Sequence, residues 1–205
     1  MKFVMKKVDV FLFDLGKVLV ELDGPPLKNA WLAEPISEAE SWQRWGASHF
    51  VKAFESGAIT KAEFTAGIKA EQQLLISEEA FEKAFTAWPK RLYPGAAEML
   101  RTLMPNYVLA YYSNTSELHV PRLLNEMGLK NYFHYTFASC EIGYFKPDAA
   151  GYEFILNALG VSAERVLFID DNAHNVAGAK AMGMNAEQAE GFDQVYSVVR
   201  RWTTE

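Results

Sequence analysis

The chain has 205 residues, half of them hydrophobic, and carries 26 acidic against 20 basic side chains for a formal net charge of −6. A chain of this length buries roughly 70% of the surface its unfolded form exposes, enough for one large core and a small accessory one. The negative balance excludes the broad positive field that nucleic acid requires, and the single cysteine, Cys140, excludes an internal disulfide and suits a reducing compartment.

Met1 to Lys7 is basic, but the apolar run after it is interrupted by Asp9 and Asp14 and has no small-residue cleavage site. No signal peptide and no membrane span are expected, and the cytoplasm is the default location. Val8 to Phe13 is apolar apart from Asp9, the pattern of a strand buried on both faces of a parallel sheet and therefore central. From about Leu22 to Leu92 the character changes: Trp31, Trp42, Trp45 and Trp88 lie there, with helix-start signals and no convincing strand. Ser37 to Glu40 and Thr60 to Glu63 read as capping boxes that open helices over about 38–56 and 61–73. Phe81, Phe85 and Trp88 recur at helical spacing up to Pro89. The stripe Trp42, Trp45, Phe50 and Phe54 reads as the core of this helical insert.

After Tyr93 helix and strand alternate. A helix near 95–104 precedes a strand near 107–112, and a helix from Ser116 to Met127 stops at Gly128. A strand over 133–138, a helix over 148–159, a strand over 165–169 and a helix closing at Met182 follow. Cys140 reads as a small core residue in an apolar strand. Gly191 to Glu205 is expected to add one helix whose Val195, Val198, Val199 and Trp202 cover the sheet. The expected fold class is α/β: a Rossmann-like, doubly wound parallel sheet from residues 1–21 and 93–205, with a small all-helical cap inserted at 22–92.

Three apolar runs of strand length stop at a polar residue: Val10 to Phe13 at Asp14, Leu109 to Tyr112 at Ser113 and Asn114, and Val166 to Ile169 at Asp170 and Asp171. A lone Lys146 stands before Pro147. Such residues fall at strand C-termini, where open parallel sheets place their ligand crevice. A carboxylate, a hydroxyl, an ammonium and a carboxylate pair converging there suit Mg²⁺-assisted phosphoryl transfer through an acyl-phosphate. Two adjacent acids, Asp170 and Asp171, repel unless a cation lies between or beside them.

The order Asp, Ser, Lys, Asp-Asp, spread over about residues 8 to 185, resembles the haloacid dehalogenase (HAD) superfamily, whose members are mostly phosphatases. The stretch Phe13-Asp14-Leu15-Gly16-Lys17-Val18-Leu19 is similar to the bacterial sugar-phosphate (glucose-1-phosphate) phosphatase subgroup. Ser113-Asn114-Thr115, the run from Ser139 to Pro147 and the run from Phe168 to Asn175 support it. The resemblance implies that Asp14 is the nucleophile and that Mg²⁺ is held by Asp14, the Gly16 carbonyl, Asp170 and Asp171. In that scheme Asp171 is a direct ligand, Asp170 ligates directly or through water, and Asn175 supports them. Ser113, Asn114 and nearby backbone amides donate to the phosphate, and Lys146 offsets charge on nucleophile and phosphate alike. His174 reads as a surface or supporting residue.

The departure from the pattern is Gly16, where most of these phosphatases carry a second Asp that protonates the leaving oxygen and later activates water. General acid–base help contributes roughly 10²- to 10⁴-fold, so its absence at position 16 predicts faster hydrolysis of aryl than of sugar phosphates unless another acid takes over. Glu21, Asp23 and His49 are candidates that spacing does not separate. Lys17 has two readings, a phosphate-binding and a solvent-facing lysine. The expected function is Mg²⁺-dependent hydrolysis of a small phosphorylated metabolite, a sugar phosphate being favoured by the subgroup. Neither nucleic acid nor membrane is an expected partner, and oligomeric state is left open. Two alternatives stand beside it: haloacid dehalogenation, which manages without the second Asp but also lacks the acidic pair, and a catalytically weak phosphate-binding or protein-interaction module.

Overall fold

The computed structural model describes residues 7–203. The reading of Met1 to Lys7 lies outside these except for Lys7, as do Thr204 and Glu205 of the expected last helix. The described chain begins with β1 (Val10–Phe13), a fully buried strand, and turns into β2 (Val20–Leu22). Four helices follow: α1 (Glu38–Ala47), α2 (His49–Glu55), α3 (Lys61–Glu71) and α4 (Glu78–Thr86). Then β3 (Pro89–Leu92) returns antiparallel to β2. The remainder runs α5 (Ala96–Leu103), β4 (Val108–Ser113), β5 (Tyr135–Ala138), α6 (Ser139–Ile142), α7 (Ala149–Leu159), β6 (Val166–Asp170), α8 (Ala173–Ala181), β7 (Asn185–Gln188) and α9 (Phe192–Thr203).

The five remaining strands form one parallel sheet in the order β5-β4-β1-β6-β7, with β1 at its centre as the apolar run predicts. Phe13 is in register with Tyr111 on β4 and Ile169 on β6, so the C-terminal ends of three neighbouring strands lie side by side. Apolar clusters cover both faces of the sheet. Phe11, Phe13, Leu100, Tyr111 and Ile169 pack on one, closed by Val195, Val198 and Val199 of α9. Leu12, Tyr112, Tyr152, Ile155 and Phe168 pack on the other. The helices between β2 and β3 have their own cluster of Trp45, Phe54, Phe64, Ile68, Phe81, Phe85 and Trp88. In it the Phe54 and Phe64 rings stack 4.3 Å apart.

Local chemistry departs from the sequence reading at six points. The single helix expected over 38–56 is two, because Ser48 adopts an extended backbone and its hydroxyl accepts from the Val51 amide, capping a new start. At Thr60 the capping box is complete, whereas at Ser37 only the hydroxyl half forms and the Glu40 carboxylate pairs with Arg44 instead. The stretch said to lack a strand contains β3, whose exposed Lys90 and Arg91 hide any apolar signal and pair with Glu21 across the ribbon. The helix expected from Ser116 to Met127 is reduced to turns and a wide π-type segment at Arg122–Glu126. Pro121 lacks the amide and the room a regular helix needs there. Cys140 lies half-buried in the short α6 and not in a strand; burial pushes its thiol up to about 12, which disfavours the thiolate a nucleophile needs. The edge strand β7 was not anticipated.

Candidate active site

The strand ends deliver their polar residues to one crevice of about 720 Å³, lined by Asp14, Gly16, Lys17, Ser113, Asn114, Lys146, Asp171 and, from the helical layer, Trp42, Trp45, Glu55 and Trp88. Asp14 follows β1 directly, and its amide donates to the Ile169 carbonyl at 2.8 Å, which fixes the backbone from which its carboxylate projects. The next residues form a tight turn in which the Leu15 carbonyl accepts from Leu19 at 2.9 Å and Val20 at 2.8 Å.

Lys146 is 2% exposed, and its ammonium is fully used: it donates to Asp14 Oδ1 at 2.6 Å, Asp170 Oδ2 at 2.6 Å and the Tyr112 carbonyl at 2.9 Å. Burial alone would lower its pKa, but the two carboxylates outweigh burial and keep it charged. The Lys146 backbone is clamped in turn by Asn114, whose side-chain oxygen accepts from the Lys146 amide at 2.8 Å while its amide group donates to the Lys146 carbonyl at 3.0 Å. Asn114, expected as a phosphate donor, therefore spends its side chain on holding Lys146. The buried Ser113 hydroxyl lines the crevice.

The acidic pair divides. Asp170 is fully buried, absent from the crevice wall, and has both oxygens engaged: Oδ1 accepts from the Asn172 amide at 2.8 Å, Asn175 reaches both oxygens at 3.0 and 3.1 Å, and Oδ2 holds Lys146. Its geometry is that of a support behind Lys146, with Asn175 serving it. Asp171 faces the crevice, 3.9 Å from the Lys17 ammonium. Burial, then the neighbouring carboxylates, push Asp14 up to about 7 against the pull of Lys146, and burial with Asp170 pushes Asp171 up to about 6. Two crevice carboxylates held above their ordinary range fit a small hard dication, which relieves that cost and accepts an oxygen-only donor set. Among the described residues no three acidic, His or Cys side chains are grouped to cage a metal. Asp14 and Asp171 would leave most positions of such an ion to water and phosphate, as Mg²⁺ prefers.

Lys17 lines the crevice, pairs with Glu190 at 3.0 Å and lies 4.6 Å over the Trp42 ring, so it is neither solvent-facing nor free. His174 is an exposed residue of the rim. The three candidate acids are elsewhere: Glu21 is tied to Lys90 and Arg91, Asp23 to Lys28, and the His49 side chain is 75% exposed beside Glu71. Two buried titratable residues of the crevice have no place in the sequence reading. His119 is buried, and its ring nitrogen Nε2 donates to the Phe85 carbonyl at 2.7 Å; burial lowers its pKa to about 4, so it is neutral. The other is Glu55.

The haloacid dehalogenase-like hydrolase family model matches residues 8–183. The chain belongs to that family. It is 31% identical over 193 residues to a phosphoglycolate phosphatase of Pseudomonas savastanoi pv. phaseolicola, covering 89% of this chain and 69% of that one. It is 28% identical over 171 residues to a phosphoglycolate phosphatase of Pseudomonas putida, covering 83% of this chain but only 59% of that protein's length. A HAD-family enzyme of Bacteroides thetaiotaomicron, crystallised with magnesium and inorganic phosphate, shares the fold at a TM-score of 0.73 and 23% identity, covering 90% of this chain and 95% of that one. No helix among the described residues is long and apolar enough to cross a membrane.

Proposed function

We propose that this HAD-like protein is a Mg²⁺-dependent phosphomonoester hydrolase acting on a small metabolite through an aspartyl-phosphate on Asp14. The observation that carries the reading is Lys146, buried and bonded at 2.6 Å to Asp14 and at 2.6 Å to Asp170 beside the Ser113 hydroxyl and Asp171. The buried Lys146 ammonium favours the ionised form of Asp14 against the push of burial and aims its carboxylate, as a nucleophile needs. Asp14, Asp171 and the Gly16 carbonyl would hold Mg²⁺, which supplies charge neutralisation at the phosphate oxygens. Ser113 donates to one phosphate oxygen. Asp14 attacks phosphorus in line, the bond to the alcohol oxygen breaks, and water then cleaves the acyl-phosphate to release inorganic phosphate. The residues between β2 and β3 form the cap that closes over this centre.

Relatives named phosphoglycolate phosphatase favour a compact, carboxylate-bearing ester, while the first motif favours a sugar phosphate; a crevice of about 720 Å³ has volume for either, and a substrate panel decides between them. The Mg²⁺-dependent release of phosphate from p-nitrophenyl phosphate is the first test. Asp14→Asn should reduce it at least about 10³-fold, Asp171→Asn should raise the Mg²⁺ requirement, and EDTA should abolish it. Halide release from a 2-haloacid, undiminished by EDTA, would instead establish the dehalogenase alternative. Inactivity on every ester would leave the binding module.

A further inference from the structure

One buried acid on the crevice wall has no part in the steps above. Glu55 ends α2 with 6% exposure and lines the same cavity as Asp14 and Ser113. Among the described residues its carboxyl forms no hydrogen bond or ion pair, a costly arrangement for a charged group and a tolerable one for a neutral acid open to a ligand. Its position is built from the core side. The Ser139 hydroxyl at the start of α6, directly after β5, donates to the Glu55 carbonyl while accepting from the Thr115 amide at 2.9 Å, two residues beyond Ser113. Two residues after Glu55, Gly57 lies so close to α6 that a Cβ there would sit 2.5 Å from the Cys140 carbonyl oxygen. On the preceding turn Lys52 pairs with Asp148 at 3.2 Å. Three contacts therefore dock the end of α2 against the strand ends, where position 16 lacks an acid.

We propose that Glu55 is the acid–base residue of this site, supplied by the cap in place of a second acid on the first strand. The proposal rests on the phosphomonoesterase reading. In the first half-reaction an Asp14 oxygen bonds to phosphorus, the bond from phosphorus to the alcohol oxygen breaks, and the carboxylic proton of Glu55 passes to that oxygen, leaving Glu55 ionised. In the second, a water oxygen bonds to phosphorus, its proton passes to Glu55, and the bond from phosphorus to Asp14 breaks, restoring both side chains. Burial, then the Asp14 charge, push the Glu55 carboxyl up to about 8 against Lys146, so it holds its proton at neutral pH.

The experiment compares p-nitrophenyl phosphate with glycerol phosphate, both with Mg²⁺, for wild type, Asp14→Asn, Glu55→Gln, and Glu55→Gln combined with Gly16→Asp. Wild type should depend only weakly on leaving-group basicity. Glu55→Gln should slow the alkyl ester about 10²- to 10⁴-fold. With the aryl ester it should give a rapid burst of phenolate and then slow turnover, with phosphorylated protein detected by intact mass after quenching. Gly16→Asp should restore alkyl turnover to Glu55→Gln, since position 16 has room: the nearest atom to a Cβ there is Leu22 Cδ1 at 3.5 Å. Equal losses on both esters without a burst, or no loss in a variant with native circular dichroism, would overturn the role of Glu55. A steep dependence on leaving-group basicity in wild type overturns the proposal whether or not Glu55→Gln folds, because it excludes a working acid. Either result leaves the phosphatase reading intact as long as Asp14→Asn is inactive. A wild type that hydrolyses no phosphate ester overturns both.

Discussion

Lys146 shows at the scale of one residue how the site is held. Its ammonium has three acceptors and almost no solvent, so each acceptor depends on it as much as it depends on them. Removing one partner of a buried charge group leaves the others uncompensated, a loss of about 3–5 kcal/mol. Lys146→Met should therefore cost about that much in urea unfolding of the metal-free protein, and adding Asp170→Asn should recover part of it. A loss below about 1 kcal/mol would mean that the pair is no more than a surface-strength contact. Glu55 gives a prediction of opposite character. Its folded pKa, about 8, lies above the ordinary 4.5, so the protonated form favours the native state. That contribution is complete below about pH 4.5 and is lost as pH rises through about 8, a span of at most about 5 kcal/mol. Glu55→Gln, which does not titrate, should gain on wild type in melting temperature as pH rises from about 5 to about 8. Parallel curves would show that Glu55 is already ionised in the native state.

Among the elements, α2 and the turn after it connect the helical layer to the segment that follows β5, and Gly57 is the residue that permits the contact. It combines a φ of +74° with the close approach to the Cys140 carbonyl, so Gly57→Ala faces both backbone strain and a clash. A destabilisation of about 1–3 kcal/mol is expected, together with a fall in kcat as the end of α2 shifts. Gly160 is the control: its φ is +65°, but nothing lies within 4 Å of an added Cβ, so Gly160→Ala should show a comparable strain cost with kcat unchanged. If both variants behave alike, the docking of α2 has no bearing on turnover. The same element marks where sequence reading stops. Asp14, Ser113 and Asp171 were legible because each ends an apolar strand, a pattern local in sequence. Glu55 was not, since the hydrogen bond that seats its backbone comes from Ser139, 84 residues away, and nothing beside it in sequence separates it from the exposed acids. β7 escaped for a related reason: of Asn185 to Gln188 only Ala186 is buried, so an edge strand paired to β6 alone carries no apolar alternation. Ser48 and Pro121, by contrast, bore readable signals of capping and interruption that the longer helical periods overrode.

Across the whole molecule, two separately packed bodies of side chains meet at the crevice: the sheet with its two apolar clusters, and the aromatic cluster of the helices. They are joined by the β2–β3 ribbon and by contacts beside it. His119 donates to the Phe85 carbonyl, and Arg122 donates to the Pro89 carbonyl at 2.6 Å and the Lys90 carbonyl at 3.1 Å. The sheet thus contributes Asp14, Ser113, Lys146 and Asp171 to the crevice, and the helices contribute its aromatic wall, so reactivity and substrate choice should separate on mutation. Trp42 and Trp45 both line the crevice but differ in burial. Trp45 is a core residue, packed on Phe64, Phe85 and Trp88 with ring centroids 5.4 to 6.2 Å apart. Trp42 is only partly buried, carries Lys17 over its ring, and its indole N–H has no partner among the described residues. Trp45→Ala should therefore cost about 3–5 kcal/mol of stability, whereas Trp42→Phe, which sacrifices no hydrogen bond, should leave melting nearly unchanged. If the helices select the substrate, Trp42→Ala should change the ranking of phosphate esters by kcat/KM while the p-nitrophenyl phosphate rate at saturation falls less than about 10-fold. An unchanged ranking in a folded Trp42→Ala protein would confine that side chain to packing and return the choice of substrate to the strand ends.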